Sequence, residues 1–203
     1  MNKNTNQNNR RNFLSKMLIV GTSGIALLSS SAYGRSRGKG KKSNTTSLTN
    51  KQKAAIFYMY QEEKVARDVY ITFSGEEYFP NENTFASIQL SEQRHIDAVE
   101  GLCDKYGIDK EGVNEGDVGN FVLDELQELY DYCVAGGDYS AEGEEVTLLD
   151  ALMVGKDIEL QDIEDLEEAI VGMPSDVVNV FSNLREGSLN HLEAFQSAIA
   201  REA

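Results

Sequence analysis

The chain has no tryptophan, and only two prolines, two cysteines and two histidines among 203 residues. Two cysteines are too few for a disulfide scaffold, a four-thiolate zinc site or an iron–sulfur cluster. Two prolines beside 17 glycines argue against a turn-rich all-β fold and for long helices. The apolar run Met17–Leu28 is too short to span a bilayer, which takes about 20 residues. Basic residues are scarce beyond the N-terminus. Nine of the 19 lie within residues 1–42, where there is no acid, so the other 161 residues hold 10 bases against all 34 acids, a net charge of −24. Such a body repels phosphate backbones, which argues against a nucleic-acid partner. What remains is 40% hydrophobic, enough for one core and a small attachment.

The attachment reads as an address. Asn9-Arg10-Arg11-Asn12-Phe13-Leu14-Ser15-Lys16 precedes the apolar run, and Ser29-Ser30-Ser31-Ala32-Tyr33-Gly34 follows it. A charged start, a short apolar stretch and a small-residue exit form a secretory signal, and the twin arginines match the export route of that name. The expected organisation is a twin-arginine signal over 1–34, a basic flexible linker over 35–47 and one domain over 48–203. The mature protein is then periplasmic or otherwise exported, without stable membrane insertion. An uncleaved N-terminal anchor is the alternative. No Cys follows the apolar run, which disfavours a lipoprotein. In an oxidising compartment Cys103 and Cys133 are open to two readings, a disulfide or two small buried hydrophobes.

From residue 48 the period is helical. The patterns predict helices over about 49–74, with Thr49 or Asn50 as cap and Gly75 as stop, and over about 84–106, ending at Gly107. A loose Gly-, Asp- and Asn-rich stretch leads to a short helix at about 120–134. A third long helix starts near Thr147, where Thr147-x-x-Asp150 supports a reciprocal cap. A fourth begins with Pro174 in its first turn and runs to the C-terminus.

Each long helix carries an apolar seam broken near its middle. The seams read Ile56, Met59, Glu63, Ala66, Tyr70, Phe73, then Phe85, Ile88, Glu92, His95, Val99, Leu102, Tyr106, then Leu148, Leu152, Gly155, Glu159, Asp162, Leu166, Ala169, and lastly Val177, Phe181, Leu184, Ser188, His191, Phe195, Ala198. Both histidines of the chain fall at these breaks. A lone polar residue on a seam is usually a satisfied structural group. Breaks in four seams at matching depth are harder to explain that way, because a buried carboxylate costs several kcal/mol unless paired or metal-bound. Two divalent cations would neutralise Glu63, Glu92, Glu159 and Asp162, with His95 and His191 as nitrogen ligands. The register leaves Glu62 as an alternative to Glu63, and Glu164 or Asp165 as alternatives in the third helix.

Glu63-x-x-Ala66-Arg67-x-x-Tyr70 followed by Glu92-x-x-His95 resembles the first half of the rubrerythrin-like, ferritin-like superfamily. The strings Tyr60–Tyr70, Ser91–His95, Leu166–Ala169 and Gly187–His191 are most similar to bacterial ferritin-like proteins called domain of unknown function 2202, a likeness covering about residues 48–198. The resemblance implies an all-α, antiparallel four-helix bundle, with a short extra helix between the second and third long helices. It also implies two metal ions, usually iron, in the bundle's middle. Carried over, Glu63 is the single carboxylate of the first helix and Glu92 the bridge, with His95 beside it. Glu159 and Asp162 are the two-acid motif of the third helix, and His191 the imidazole of the fourth. Ser188 departs from the pattern, standing where the superfamily usually has a bridging Glu.

The function that follows is an exported di-iron oxidase or peroxide reductase, acting on dioxygen or peroxide. Carboxylates with imidazole suit iron or manganese, and zinc is a further candidate. A sequestering module without turnover and a metal-free structural bundle are the alternatives. No Cys-x-x-Cys segment is present, so electrons must come from elsewhere. Tyr70 reads as a ligand-bonding or electron-donating group or as a plain core residue, Arg67 and Asp68 as supports of the ligands or as solvated charges. A homodimer is open; a hollow storage shell is disfavoured.

Overall fold

The computed structural model describes residues 47–202 except 111 and 142. The signal expected over 1–34, and the linker apart from its last residue, lie outside these. Among the described residues there are five helices and no strand: α1 Asn50–Phe73, α2 Asn83–Tyr106, α3 Asp124–Val134, α4 Leu148–Ala169 and α5 Ser175–Glu202. No helix among them is long and apolar enough to cross a membrane.

The helix ends follow local chemistry. The Thr49 hydroxyl accepts from the Gln52 amide at 3.2 Å while the Gln52 side chain accepts from the Thr49 amide at 2.8 Å. Thr147 and Asp150 make the same reciprocal pair at the start of α4, so two orphan donors are satisfied at each end. Gly107 closes α2 in the left-handed region at φ 59°, where a side chain would be strained. Pro174 sits just before α5 rather than inside it, its carbonyl accepting from Val178. Helix α3 starts at Asp124, four residues later than the pattern suggests. Side chains intercept the backbone there: Phe121 donates its amide to Gln127 and Val122 donates its amide to Gln61.

Helix α1 packs chiefly on α2 and α4 on α5, and α1–α4 and α2–α5 contacts close the bundle. Both main pairs run antiparallel. The core consists of two apolar clusters at opposite ends. One joins Val65–Phe73 with Phe85, Ile88, α3, Ala151–Ile158, Phe195 and Ala198. The other joins Ile56–Tyr60 with Ile96–Cys103, Leu166, Val177, Phe181 and Leu184. Each fully buried large side chain here contributes roughly 1.5–3 kcal/mol. Between the clusters lie the polar residues that break the four seams. Cys103 is in the second cluster and Cys133 in the first, and both thiols are free and buried. The disulfide reading is therefore set aside: burial in separate hydrophobic clusters makes the pair small core residues.

The described residues of the stretch 107–123 are not loose. They are strapped onto α1 by a network of buried charges and backbone groups. Lys64 Nζ donates to Asp68 at 2.5 Å and to the carbonyls of Asp117 and Asn120. Arg67 donates to Asp68 twice, to Gln93 and to the Glu115 carbonyl. Asp68 also accepts from the Gly119 amide at 3.0 Å. Gly119 has φ 80°, and a Cβ there would meet the Tyr130 ring at 2.7 Å, so only glycine fits. Under this strap α1 is buried on every side from Met59 to Tyr70. Arg67 and Asp68 are accordingly neither supports of the candidate ligands nor solvated; they fasten the crossover.

Candidate metal centre

Spacing of three places two groups one above the other on a helix face. Helix α2 presents Glu92 and His95, α4 Glu159 and Asp162, α5 Ser188 and His191, while α1 presents Glu63. All are buried. His95 Nδ1 lies 3.1 Å from Glu63 Oε2 and 2.9 Å from Glu92 Oε2. His191 Nδ1 lies 2.7 Å from Glu92 Oε1 and 3.4 Å from Glu159 Oε2. The imidazole rings stack with centroids 5.4 Å apart. Two groups result, Glu63–Glu92–His95 and Glu92–Glu159–His191, each with its donor atoms within 4.8 Å of one another. Glu92 belongs to both, one oxygen turned to each.

Five of the six residues singled out from the sequence are thus brought together. The sixth, Asp162, lies in neither group, and its Oδ2 accepts from the Ser188 hydroxyl at 2.5 Å. The Ser188 hydroxyl thus holds Asp162 beside both groups and a member of neither. The register alternatives also resolve. Glu164 is exposed, and Glu62 turns to the flank between α1 and α4, where its carboxyl meets that of Asp165. Tyr70, fully buried, donates to Glu159 Oε1 at 2.7 Å and packs against Phe85 and Phe195. A surface groove of about 790 Å³ lined by Glu77, Tyr132, Glu144 and Glu145, among others, contains none of these residues.

The electrostatics are those of anions crowded in a dry layer. Burial, opposed by the His95 bond, lifts Glu63 to about 7, and burial with the charge of Glu92 lifts Glu159 to about 7. Burial and the neighbouring Glu63 and Glu159 charges also raise Asp162. Burial would raise Glu92 as well, but its bonds to His191 and His95 prevail and hold it at about 2. Burial would lower the imidazoles, yet their carboxylate partners raise His95 to about 11 and His191 to about 10. Without metal, protons take up the positive charge the layer demands. Glu63 Oε1 and Asp162 Oδ1 nevertheless have no hydrogen-bond partner. Glu92 Oε1 and His191 Nδ1 face each other as an ion pair at 2.7 Å. Buried carboxylate oxygens left without a donor, beside imidazoles that can give up a proton to become ligands, suit divalent cations, and the donor set fits iron, manganese or zinc.

A pH dependence follows for the metal-free domain. Glu63 and Glu159 have folded values above the ordinary 4.5, and His95 and His191 above 6.5. Such groups bind protons more tightly when folded, so their stabilisation is complete below the unfolded value and is lost as pH rises through the folded one. Glu92, held low, works oppositely, contributing above 4.5 and failing as pH falls towards 2. Urea midpoints of chelator-treated protein should therefore decline as pH climbs from about 5 to about 10. A flat or rising series would contradict this account of the layer.

The same fold occurs elsewhere. Uncharacterized protein MJ0754 of Methanocaldococcus jannaschii is 38% identical over 149 residues, covering 73% of this chain and 75% of its own. The crystal structure of MJ0754 matches with a TM-score of 0.68 at 35% identity, over 80% of this chain and 87% of the other. A family model described as an uncharacterized protein domain, DUF2202, matches residues 52–203. By that match and that relative, the chain belongs to the DUF2202 family.

Proposed function

We propose that this DUF2202 domain is a ferritin-like protein that binds two divalent metal ions, iron foremost, and acts as an oxidase or peroxide reductase after export through the twin-arginine route. The observation that supports the reading is the pair of buried carboxylate–imidazole groups sharing Glu92, with Glu63 Oε1 left without a hydrogen-bond partner among them. Glu92 would span both ions. Glu63 and His95 would complete one ligand set, Glu159 and His191 the other, with Asp162 in reserve on the Ser188 hydroxyl. When bound, two ferrous ions would supply the two electrons that, with two protons, reduce hydrogen peroxide to two waters. The chain's own part is to position and to exclude water. Tyr70 holds the second oxygen of Glu159, and the apolar clusters above and below seal the layer.

A binding role without turnover is the second reading. Ser188 stands where the resemblance has a bridging acid, and it engages Asp162 instead, which leaves Glu92 as the one carboxylate shared by both groups. Two measurements decide. Elemental analysis of natively exported protein should return two metal ions per chain; none would leave only a structural bundle. Ferric absorbance should grow on adding peroxide or oxygen to the Fe(II)-loaded protein, and a rate equal to that in buffer would leave sequestration.

A further inference from the structure

Glycine is unfavourable inside a helix because it orders the backbone at high entropic cost and packs nothing, yet Gly187 lies in the middle of α5. What occupies the place of its side chain is a ring from another helix. A Cβ on Gly187 would lie 2.4 Å from His95 Nε2 and 2.8 Å from His95 Cε1, far inside van der Waals contact. The outer edge of the imidazole therefore rests on the α5 backbone. With that edge seated, the opposite edge delivers Nδ1 to Glu63 Oε2 at 3.1 Å and Glu92 Oε2 at 2.9 Å. The ring cannot retreat from α5 without rotating Nδ1 off both oxygens, because its backbone is fixed in α2 between Ile88 and Val99, both buried. His191 is placed from α5 itself and is not seated on this glycine.

The geometry points to Gly187 as the positioning residue of one half of the centre: its missing side chain is the socket that aims His95 into the Glu63–Glu92 group. The role rests on the two-metal reading above. It predicts an asymmetric lesion, since Gly187→Ala displaces His95 but leaves Glu92, Glu159 and His191 in place.

The test uses the full chain and Co(II), whose visible absorption reports ligand number and type. Native protein is expected to bind two Co(II) ions. Gly187→Ala should bind one with its spectrum unchanged, the other being weakened at least ~10-fold, the loss usual when a ligand's support is removed. Metal-free melts supply the second readout. Gly187→Ala should lower Tm when His95 is present and raise it by about 2–4 °C in a His95→Ala background, where the clash is gone and alanine's helix preference remains. Two native-affinity Co(II) ions in Gly187→Ala, or a Tm shift of one sign in both backgrounds, overturns the proposal. If native protein binds no Co(II), the two-metal reading falls and the role with it, and the melts then report the contact alone.

Discussion

On the two-metal reading, Glu92→Gln is expected to remove tight metal binding from both halves of the centre at once. One oxygen of Glu92 faces His95 and Glu63, the other faces His191 and Glu159. The amide keeps the shape but loses the charge and one acceptor, and its NH₂ must point into one of the two groups. Outer contacts of a ligand are worth ~10–100-fold in metal affinity, so loss of a shared ligand is expected to exceed ~100-fold at each site. Dialysed Glu92→Gln protein should then hold no ion, whereas Glu63→Gln should hold one. Retention of both ions by Glu92→Gln would mean that the two groups do not share this carboxylate. Without metal, the same substitution strips one imidazole of its acceptor and both of the neighbouring charge, so the decline of stability with pH should shrink.

Asp68→Ala is expected to cost about 3–5 kcal/mol of folding stability, the penalty for breaking a buried ion pair from one side. Asp68 is wholly buried and takes hydrogen bonds from Lys64, Arg67 and the Gly119 amide. Its removal leaves Lys64 and Arg67, both nearly inaccessible, with backbone carbonyls and Gln93 as partners and no buried counter-charge in the network. The strap over α1 loses the side chain that joins both cations to the crossover. Urea unfolding read by circular dichroism should show the loss. Because none of the network's bonds reaches Glu63, Glu92, His95, Glu159 or His191, metal stoichiometry in folded Asp68→Ala protein should match the native value. A cost below ~1 kcal/mol would place Asp68 among ordinary surface charges.

The network and the layer differ in how far the chain announces them. Helix positions follow from period and caps. The seam predicted for the last helix, from Val177 to Ala198, is the set of residues α5 buries, and the Thr147–Asp150 cap is present as expected. The breaks in the seams were equally plain, because a carboxylate or imidazole among apolar residues at spacing three or four has a direction as well as an identity. The strap had no such signal. Lys64 and Arg67 are held largely by carbonyls of Glu115, Asp117 and Asn120, and every residue has a carbonyl, so nothing in residue type marks those positions. The cysteines were also silent, since spacing along the chain does not say which end of the bundle each one reaches.

Taken alone, the order of residues determined that the chain makes long amphipathic helices and that acids and both imidazoles fall halfway along them, because side-chain direction in a helix repeats with the backbone. The tertiary structure decided which of two adjacent acids turns inward. Glu63 enters the layer and Glu62 meets Asp165, a matter of a helix's rotation about its axis. It likewise decided that Asp162 binds Ser188 and that Gly187 seats His95. Those contacts depend on the distance between helices far apart in sequence, which packing sets and local pattern does not contain.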